Sequence, residues 1–270
     1  MKQVFIGCQG WNYKDWISTS ETIFYPRNTN SSQMLSIYSE AFDCVEVDST
    51  FYAIPSEMTI EGWYRKTPDN FKFALKLPRQ ITHENLLSEA SYGILDEFCE
   101  KISALKNKLL AVLIQLPPQF EADQRNTTRL RRFLSRLPKD VKFAIEFRRR
   151  EWLVDSIFEE LEKTNTTLCL VEGEWIARDV MFQAIERLID EFSYIRFMGR
   201  RDLVEFKRVV RPQDENLKIW KENLDRLKAN KIFVSFSNFY EGFAPESANK
   251  MRILYNRPPG VPSEKQLSLF

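Results

Sequence analysis

The chain has 270 residues, of which 43% are hydrophobic and 29% charged, with a formal net charge of +1. This length allows one barrel-sized domain or two ordinary ones, and the near-zero charge excludes a global field that attracts nucleic acid or membranes. The four cysteines lie singly, which favours reduced thiols over disulfides or zinc ligands. The sequence lacks a signal-peptide pattern and a run of membrane-spanning length, so we expect a soluble cytoplasmic protein.

Strand-like and helix-like patterns alternate along the chain. The predicted strands cover residues 4–7, 44–48, 71–77, 109–116, 142–147, 167–171, 194–198 and 231–236. The predicted helices cover residues 31–42, 55–63, 88–106, 126–137, 151–163, 179–191, 214–229 and 245–255. This alternation predicts a single α/β domain, a (β/α)8 TIM-type barrel over residues 1–255. An open doubly wound sheet is the alternative, but no GxGxxG follows the first strand.

Charged side chains alternate with apolar ones in several predicted strands. In the second strand, Val45 and Val47 point one way, while Glu46 and Asp48 point the other. The same reading of the other strands predicts the interior-facing residues Ala74, Lys76, Leu113, Gln115, Ala144, Glu146, Arg148, Tyr194 and Arg196, and also Leu170 and Glu172 if the sixth strand runs one residue further. The charged members lie at the C-terminal ends of the strands, where active sites of such barrels form.

These interior charges have two interpretations. They are a structural network of ion pairs or a functional site, because unpaired buried charges are costly. We favour the site, since a network without a task could be replaced by apolar residues at little cost. Candidate catalytic residues are Glu46, Asp48, Lys76 and Glu146; Arg148 and Arg196, with Lys76, would hold anionic oxygens.

The same residues suggest three further chemistries: metal binding, a Schiff base and histidine chemistry. A magnesium or manganese ion held by Glu46, Asp48, Glu146 and Glu172 is chemically feasible, although no spacing motif supports it. A Schiff base at Lys76 is disfavoured, because surrounding carboxylates should raise its pKa. The only histidine, His83, follows the third strand and is a candidate for substrate binding, whereas a multi-histidine zinc cluster is excluded.

The loops after the strands add candidate binding residues. Trp11, Tyr13 and Tyr52 would line a pocket and stack on a ring or base. Arg200 follows the seventh strand, as Arg148 follows the fifth, and arginines at this face can grip phosphate or carboxylate oxygens. Arginines 149, 150 and 201 are equally well explained as solvent-facing residues.

Several motifs resemble those of the YecE-like family, domain of unknown function 72. They are Gly7-Cys8-Gln9-Gly10-Trp11, Glu46-Val47-Asp48-Ser49-Thr50-Phe51-Tyr52 with Pro55, Lys76 with Thr82-His83, Gln115-Leu116-Pro117-Pro118, Glu146-Phe147-Arg148 with Trp152, Arg196-Phe197-Met198-Gly199-Arg200, and Asn238 with Gly242-Phe243-Ala244-Pro245. The resemblance spans essentially the whole barrel, implies a TIM barrel of unassigned activity, and adds Gln115 and Asn238 to the candidate binding residues. Met198 and Phe239 stand where the family often has histidine, which puts in doubt any chemistry that those histidines perform.

Residues 256–270 read as a Pro-rich tether followed by a terminal peptide. The peptide, Gln266-Leu267-Ser268-Leu269-Phe270, resembles the segment by which bacterial DNA polymerases and repair proteins dock on the β sliding clamp. The resemblance implies that Leu269 and Phe270 fill an apolar groove, with Gln266 and Leu267 also binding the partner. The alternative is that the apolar residues fold back onto the barrel.

The leading interpretation is a barrel enzyme, such as a hydrolase, that acts on a phosphate-containing substrate, nucleic acid or a nucleotide. Its tail would recruit it to the sliding clamp, with DNA repair as the hypothesis. The alternatives are a small-molecule sugar or sugar-phosphate enzyme that uses the same carboxylates, and a non-catalytic clamp- or DNA-associated binding module.

Overall fold

The structure, a computed structural model, describes residues 2–18, 24–189 and 191–262. Within these ranges, eight parallel strands form one closed barrel in which each pairs with the next and β8 pairs with β1. The strands are β1 (Gln3–Gln9), β2 (Cys44–Val47), β3 (Lys72–Lys76), β4 (Leu109–Gln115), β5 (Phe143–Glu146), β6 (Thr166–Glu172), β7 (Phe192–Phe197) and β8 (Lys231–Phe236). The predicted TIM-type barrel is confirmed, and the open-sheet alternative is wrong.

Helices connect successive strands. They are α1 (Ser31–Ala41), α2 (Glu57–Arg65), α3 (Tyr92–Ile102), α4 (Gln124–Arg136), α5 (Asp155–Lys163), α6 (Arg178–Ile185), α7 (Asp214–Asp225), α8 (Asn238–Glu241) and α9 (Ala244–Leu254). Helix α8 was not predicted, because four residues are too few to show a helical period. The Ser237 hydroxyl accepts a hydrogen bond from the backbone N–H of Phe239 at its start, and Gly242, with a φ of 112°, ends it.

The third predicted helix and the loop before it need correction. The helix over residues 88–106 is divided, because α3 is flanked by short 3₁₀ helices at Glu89–Ser91 and Ser103–Lys108. Lys106, with a φ of 48°, breaks the helical path before β4. The segment around His83 is a π-helical turn, Gln80–Glu84, rather than an irregular loop.

The strands bury side chains on both faces, as a closed barrel inside a ring of helices requires. The predicted outward-facing residues pack in the outer core, namely Val45, Val47, Phe73, Leu75, Val112, Ile114, Phe143, Ile145, Phe147, Ile195 and Phe197. The interior contains many small side chains, among them Cys44, Ala74, Ala111, Ala144 and Cys169. These small residues leave room for the long charged side chains above them.

The predicted orientation of the sixth strand is wrong. Cys169 and Val171 belong to the interior cluster, whereas Leu170 packs in the outer core. Glu172 therefore faces the helices, where its carboxylate accepts a hydrogen bond from the indole N–H of Trp220 on α7. The strand is hydrophobic on both faces, so its composition does not reveal which set points inward.

A tyrosine hydroxyl joins β1 to β2 where their backbones are not directly paired. The registered pairs between these strands begin at Cys8 with Val45. Below them, Tyr38 Oη on α1 accepts a hydrogen bond from the N–H of Cys8 at 2.7 Å and donates one to the carbonyl of Cys44 at 2.9 Å. A Cβ on Gly7 would lie 2.0 Å from that carbonyl oxygen, so the close approach of the strands requires glycine.

The segment after α9 is fastened to the N-terminal face of the barrel. Arg257 Nη1 donates to the carbonyl of Val4 at 2.8 Å, and its Nη2 donates to Asp43 at 2.5 Å. The Asn249 side chain accepts from the N–H of Gly260 at 2.7 Å and donates to its carbonyl at 3.1 Å. The predicted tether, which was expected to begin at residue 256, is therefore attached to the barrel at Arg257 and Gly260. The candidate clamp-binding residues Gln266, Leu267, Leu269 and Phe270 lie outside the described ranges.

Two sequence-based expectations concern membranes and thiols. In the described part of the chain, no helix combines the length and the apolar character needed to cross a bilayer. The four cysteines carry free thiols; Cys8, Cys44 and Cys169 are buried, and Cys99 is half-buried.

Candidate functional site

Arg196 lies at the centre of the barrel interior, between two carboxylates. From β7 its Nε lies 3.1 and 3.0 Å from the two carboxylate oxygens of Glu46, and its Nη2 lies 2.6 Å from Oε1 of Glu46. Its Nη1 donates to Oε2 of Glu146 on β5. Glu46, Glu146 and Arg196 are 0, 2 and 1% exposed. Three strands thus bring one cation and two anions together away from water.

Two hydroxyl groups complete this arrangement. Tyr194 Oη and Ser235 Oγ donate to Oε2 of Glu46 at 2.8 and 2.9 Å. We call Glu46, Glu146, Tyr194, Arg196 and Ser235 the Arg196 cluster. Burial alone would lower the pKa of Arg196, but Glu46 and Glu146 raise it well above its usual value. Burial alone would raise the pKa of Glu146, but Arg196 and Arg148 lower it, so this pair stays ionised.

Lys76 and Asp48 lie beside the Arg196 cluster, nearer the mouth. The Nζ of Lys76 is 4.0 Å above the ring of Phe51 and forms no hydrogen bond or ion pair with the described residues. Contrary to the sequence-based expectation, burial lowers the pKa of Lys76 to about 8, and attraction to Asp48 offsets only part of that effect. Burial, followed by repulsion from Glu46, raises the pKa of Asp48.

His83 packs against the same phenylalanine. Its ring meets Phe51 edge-on with centroids 4.9 Å apart, and its Nδ1 lies 2.8 Å from the Thr82 hydroxyl. Burial, together with the positive charges of Lys76 and Arg148, lowers the pKa of His83 to about 4. His83 is therefore a neutral imidazole at physiological pH. We call Asp48, Phe51, Lys76, His83 and Arg148 the mouth cluster.

Arg148 connects the mouth cluster to the Arg196 cluster. Its Nε lies 3.4 Å from Oε1 of Glu146, and its guanidinium lies 5.1 Å from the ring centroid of Trp175. Trp175, 52% exposed, was not among the predicted site residues. Its position just after a predicted strand is the signal that could have identified it. Arg201 is exposed, and its charge helps to lower the pKa values of both Asp48 and Arg148.

The predicted pocket aromatics differ in exposure. Tyr52 is 79% exposed and meets Phe51 edge-on at 5.2 Å. Trp11 is partly buried against Trp63 at 5.8 Å. Tyr13 donates to the carbonyl of Gln9 at 2.9 Å, so its hydroxyl is already engaged. Tyr52 and Trp175 are thus the rings most accessible to a ligand.

The two predicted amide residues are buried and partnered. Gln115 Nε2 donates to the carbonyl of Leu116 at 3.0 Å. Asn238 Oδ1 accepts from the indole N–H of Trp16 at 3.1 Å and from the N–H of Ala244 at 3.0 Å. Its Nδ2 has no partner among the described residues. Asn238 thereby connects the start of α9 to Trp16.

Arg200 is not brought together with the mouth cluster. It lines a separate hollow with Glu172, Glu174 and Arg211, and its Nε lies 3.8 Å from Oε1 of Glu174. The preceding glycine has a φ of 65°, which turns the chain so that Arg200 and Arg201 diverge. Arg201, rather than Arg200, acts electrostatically on the predicted site.

The predicted four-carboxylate metal site is not assembled. Glu172 faces the helices, and the carboxylates of Glu46 and Glu146 are bound by Arg196. Across residues 2–18, 24–189 and 191–262, no group of three or more His, Cys, Asp or Glu side chains is placed to hold a metal ion. A cation at Glu46 would have to displace a guanidinium, so these residues do not fit a divalent-metal centre.

The two positions that depart from the family motifs also lie near this end of the barrel. Met198 Sδ accepts a hydrogen bond from Nε2 of Gln9 at 3.0 Å. Phe239 packs edge-on against Phe206 at 5.1 Å. Neither residue supplies an ionisable group.

Comparisons with known proteins agree with the resemblance to YecE-like proteins. The chain is 28% identical to the UPF0759 protein YunF of Bacillus subtilis over 295 residues, covering 99% of this chain and 100% of YunF. It is 28% identical to the UPF0759 protein YecE of Escherichia coli K12 over 145 residues, 54% of this chain and 48% of YecE.

A solved structure has the same fold. The crystal structure of a DUF72 family protein from Thermotoga maritima superposes with a TM-score of 0.74 at 25% identity, covering 94% of this chain and 100% of that protein. The family described as "Protein of unknown function DUF72" matches residues 5–267. The chain belongs to the DUF72 family.

Proposed function

We propose that the chain is an enzyme that acts, at the C-terminal mouth of its barrel, on a phosphate-bearing substrate. The observation that carries the proposal is the unequal exposure of opposite charges. The carboxylates of Glu46 and Glu146 are sealed inside the Arg196 cluster, while Arg148 and Arg201 reach solvent. An incoming ligand therefore meets guanidinium groups, which bind phosphate oxygens through paired hydrogen bonds.

The geometry assigns different roles to the candidate residues. The amine of Lys76 and Oδ1 of Asp48 have no hydrogen-bond partner among the described residues, so these two residues are the groups proposed to move protons. Arg148 is proposed to hold the phosphate. The N–H groups of Arg196 already donate to Glu46 and Glu146. Arg196 is therefore proposed to position strands β2 and β5 rather than to bind the ligand.

The exposed rings favour a nucleotide or nucleic acid over a simple phosphate ester. Tyr52 and Trp175 border the mouth cluster and offer flat apolar faces, and stacking of a base on an aromatic ring contributes about 1–3 kcal/mol. The same faces could receive the ring of a sugar phosphate, which remains the second candidate.

Binding measurements on the full-length protein test this proposal. Titration calorimetry would compare a nucleoside monophosphate, a short single-stranded oligonucleotide and ribose 5-phosphate. Arg148→Gln is expected to weaken the tightest of these about 10-fold or more, since a hydrogen bond to a charged group contributes about 1.5–3 kcal/mol. Arg132→Gln on α4, where an exposed arginine pairs with Glu89, is the matched control. Equal affinities for both variants would reject the proposed phosphate site.

Turnover separates an enzyme from a binding module. The three ligands, with phosphodiester and phosphomonoester substrates, would be screened by chromatography for products. Turnover that is abolished by Asp48→Asn would support the proposal that the chain is an enzyme. Oligonucleotide binding without turnover would instead favour the non-catalytic module.

Recruitment to the β sliding clamp is proposed as a second, separable property. The five-residue motif Gln266-Leu267-Ser268-Leu269-Phe270 supports it, and the preceding residues Arg257 and Gly260 are attached on the face opposite the mouth. A partner held there would not cover the mouth. Purified clamp would be titrated with the intact chain and with a chain lacking residues 266–270. We expect micromolar binding by the intact chain only. An intact chain that does not bind would reject recruitment to the clamp.

A further inference from the structure

Lys76 differs from the other buried lysine of the described chain. Lys108, 1% exposed, donates to the carbonyls of Tyr64 and Thr67, both at 2.7 Å, and to the hydroxyl of Thr67 at 3.2 Å. Lys76, 6% exposed, has neither a hydrogen bond nor an ion pair with any described residue. Apart from the ring of Phe51, 4.0 Å from Nζ, the ammonium has no direct partner in the described chain, and burying it without a hydrogen-bond acceptor shifts the equilibrium towards the neutral amine.

The Nζ of Lys76 is not completely sealed, although the residue is only 6% exposed. Its Nζ lies over the ring of Phe51 at 4.0 Å. This atom has no hydrogen-bond partner among the described residues and keeps a small contact with solvent. Asp48 carries the charge that acts most strongly on Lys76, and its Oδ1 is buried without a hydrogen-bond donor in the described chain. An unpaired amine and an unpaired carboxyl oxygen therefore share one end of the barrel.

The charges that face Lys76 come from several elements. Asp48, Glu46 and Glu146 favour its protonated form, while Arg196 opposes it. In its protonated form Lys76 in turn lowers the pKa of His83. Burial outweighs the carboxylates, and the pKa falls to about 8, so about a tenth of the amine is unprotonated at pH 7.

We propose that Lys76 forms an imine with the aldehyde or ketone carbon of a phosphate-bearing substrate, with Asp48 transferring the proton. The phosphate part rests on the proposed function, and the imine does not. A desolvated lysine with a free amine is the nucleophile that enzymes use for this chemistry. Arg148, whose charge acts on His83 together with that of Lys76, would hold the phosphate.

Imine formation at Lys76 conserves atoms and electrons. The lone pair of neutral Nζ attacks the carbonyl carbon, the C=O π electrons move to oxygen, and a proton passes from nitrogen to that oxygen to give a carbinolamine. Asp48, in its protonated form, then gives a proton to the hydroxyl group, which leaves as water while the nitrogen lone pair forms C=N. The iminium N–H proton returns to Asp48. The net reaction is amine plus carbonyl giving imine plus water, without an oxidant or reductant.

Reductive trapping tests the inference. The full-length protein would be incubated with glyceraldehyde 3-phosphate and sodium cyanoborohydride between pH 6 and 9, and the adducts would be located by mass spectrometry of peptides. We expect Lys76 to be labelled at least 10-fold faster than exposed Lys218, with a rate that rises through a midpoint near pH 8. Buried Lys108 serves as an internal reference that should not react.

Variants and a second ligand separate the possible outcomes. Lys76→Met and Lys76→Arg should lose the fast adduct while retaining a folded circular dichroism spectrum. Labelling of Lys76 no faster than Lys218 would overturn the inference. Binding of glycerol 3-phosphate without any trapping would overturn it while leaving the proposed function intact. Equal trapping of unphosphorylated glyceraldehyde would support the amine and contradict the phosphate site.

Discussion

At the scale of single residues, Arg196 is the only direct counter-ion that Glu46 has among the described residues. Arg196→Met would leave that carboxylate buried without a cation, and breaking a buried pair in this way costs about 3–5 kcal/mol. Urea unfolding at pH 7, followed by circular dichroism, measures the loss.

The control for this prediction removes the charges together. The triple variant Glu46→Gln, Glu146→Gln and Arg196→Met leaves no ion in the Arg196 cluster, so we expect it to be more stable than Arg196→Met alone. A single variant within about 1 kcal/mol of the parent would show that the Arg196 cluster contributes little to stability.

His83 provides a second prediction, because it is the only histidine in the chain. Its imidazole resonances should titrate with a midpoint near pH 4 in a proton–carbon NMR spectrum. The folded pKa lies below the unfolded value of about 6.5, so the unfolded state binds the proton more readily and this residue reduces stability as the pH falls from 6.5 towards 4. A midpoint near 6.5 would place the ring in open solvent. Lys76→Met should move the midpoint upward, since it removes one of the repelling charges.

At the scale of elements, the junction of β1 and β2 depends on one hydroxyl. Tyr38→Phe would remove the hydroxyl that pairs with the N–H of Cys8 and the carbonyl of Cys44, and each buried unpaired group costs about 1–3 kcal/mol. We expect a loss of at least about 1 kcal/mol in urea unfolding, together with faster amide exchange at Cys8.

Tyr255 is a matched control for the loss of a tyrosine hydroxyl. Its Oη is buried and has no hydrogen-bond partner in the described ranges. Tyr255→Phe should therefore leave stability unchanged or slightly raised. Equal destabilisation by the two substitutions would mean that the junction does not depend on Tyr38.

At the scale of the whole molecule, residues 256–262 contribute to the fold through their contacts with the barrel. A chain that ends at residue 262 should unfold at the same urea concentration as the intact chain. A chain that ends at residue 255 loses the hydrogen bonds of Arg257 and Gly260 and should be less stable by at least about 2 kcal/mol. Identical midpoints for both truncations would restore the predicted boundary at residue 256.

The barrel was predictable because strand and helix periods are local properties of the sequence. Inward and outward residues were also predictable wherever a strand has one polar set, as around Glu46 and Glu146. In β6 both sets are apolar, so the orientation of Glu172 depends on the register with its neighbours, which single-strand patterns do not contain.

The candidate site was predictable in composition but not in pairing. That Arg196 binds Glu46 and Glu146 depends on distances across the barrel between residues 50 and 150 positions apart. The low pKa of Lys76 depends on how completely it is desolvated, and counting nearby carboxylates in the sequence suggested the opposite sign.

The contact between Arg257 and Val4 also has a use in protein engineering. It brings the first strand and the segment after the last helix together on the face opposite the mouth. A circular permutant that joins these regions and opens between exposed Lys139 and Asp140, before β5, would keep its new termini on that face. The protein could then be immobilised through either terminus with its mouth open to solution.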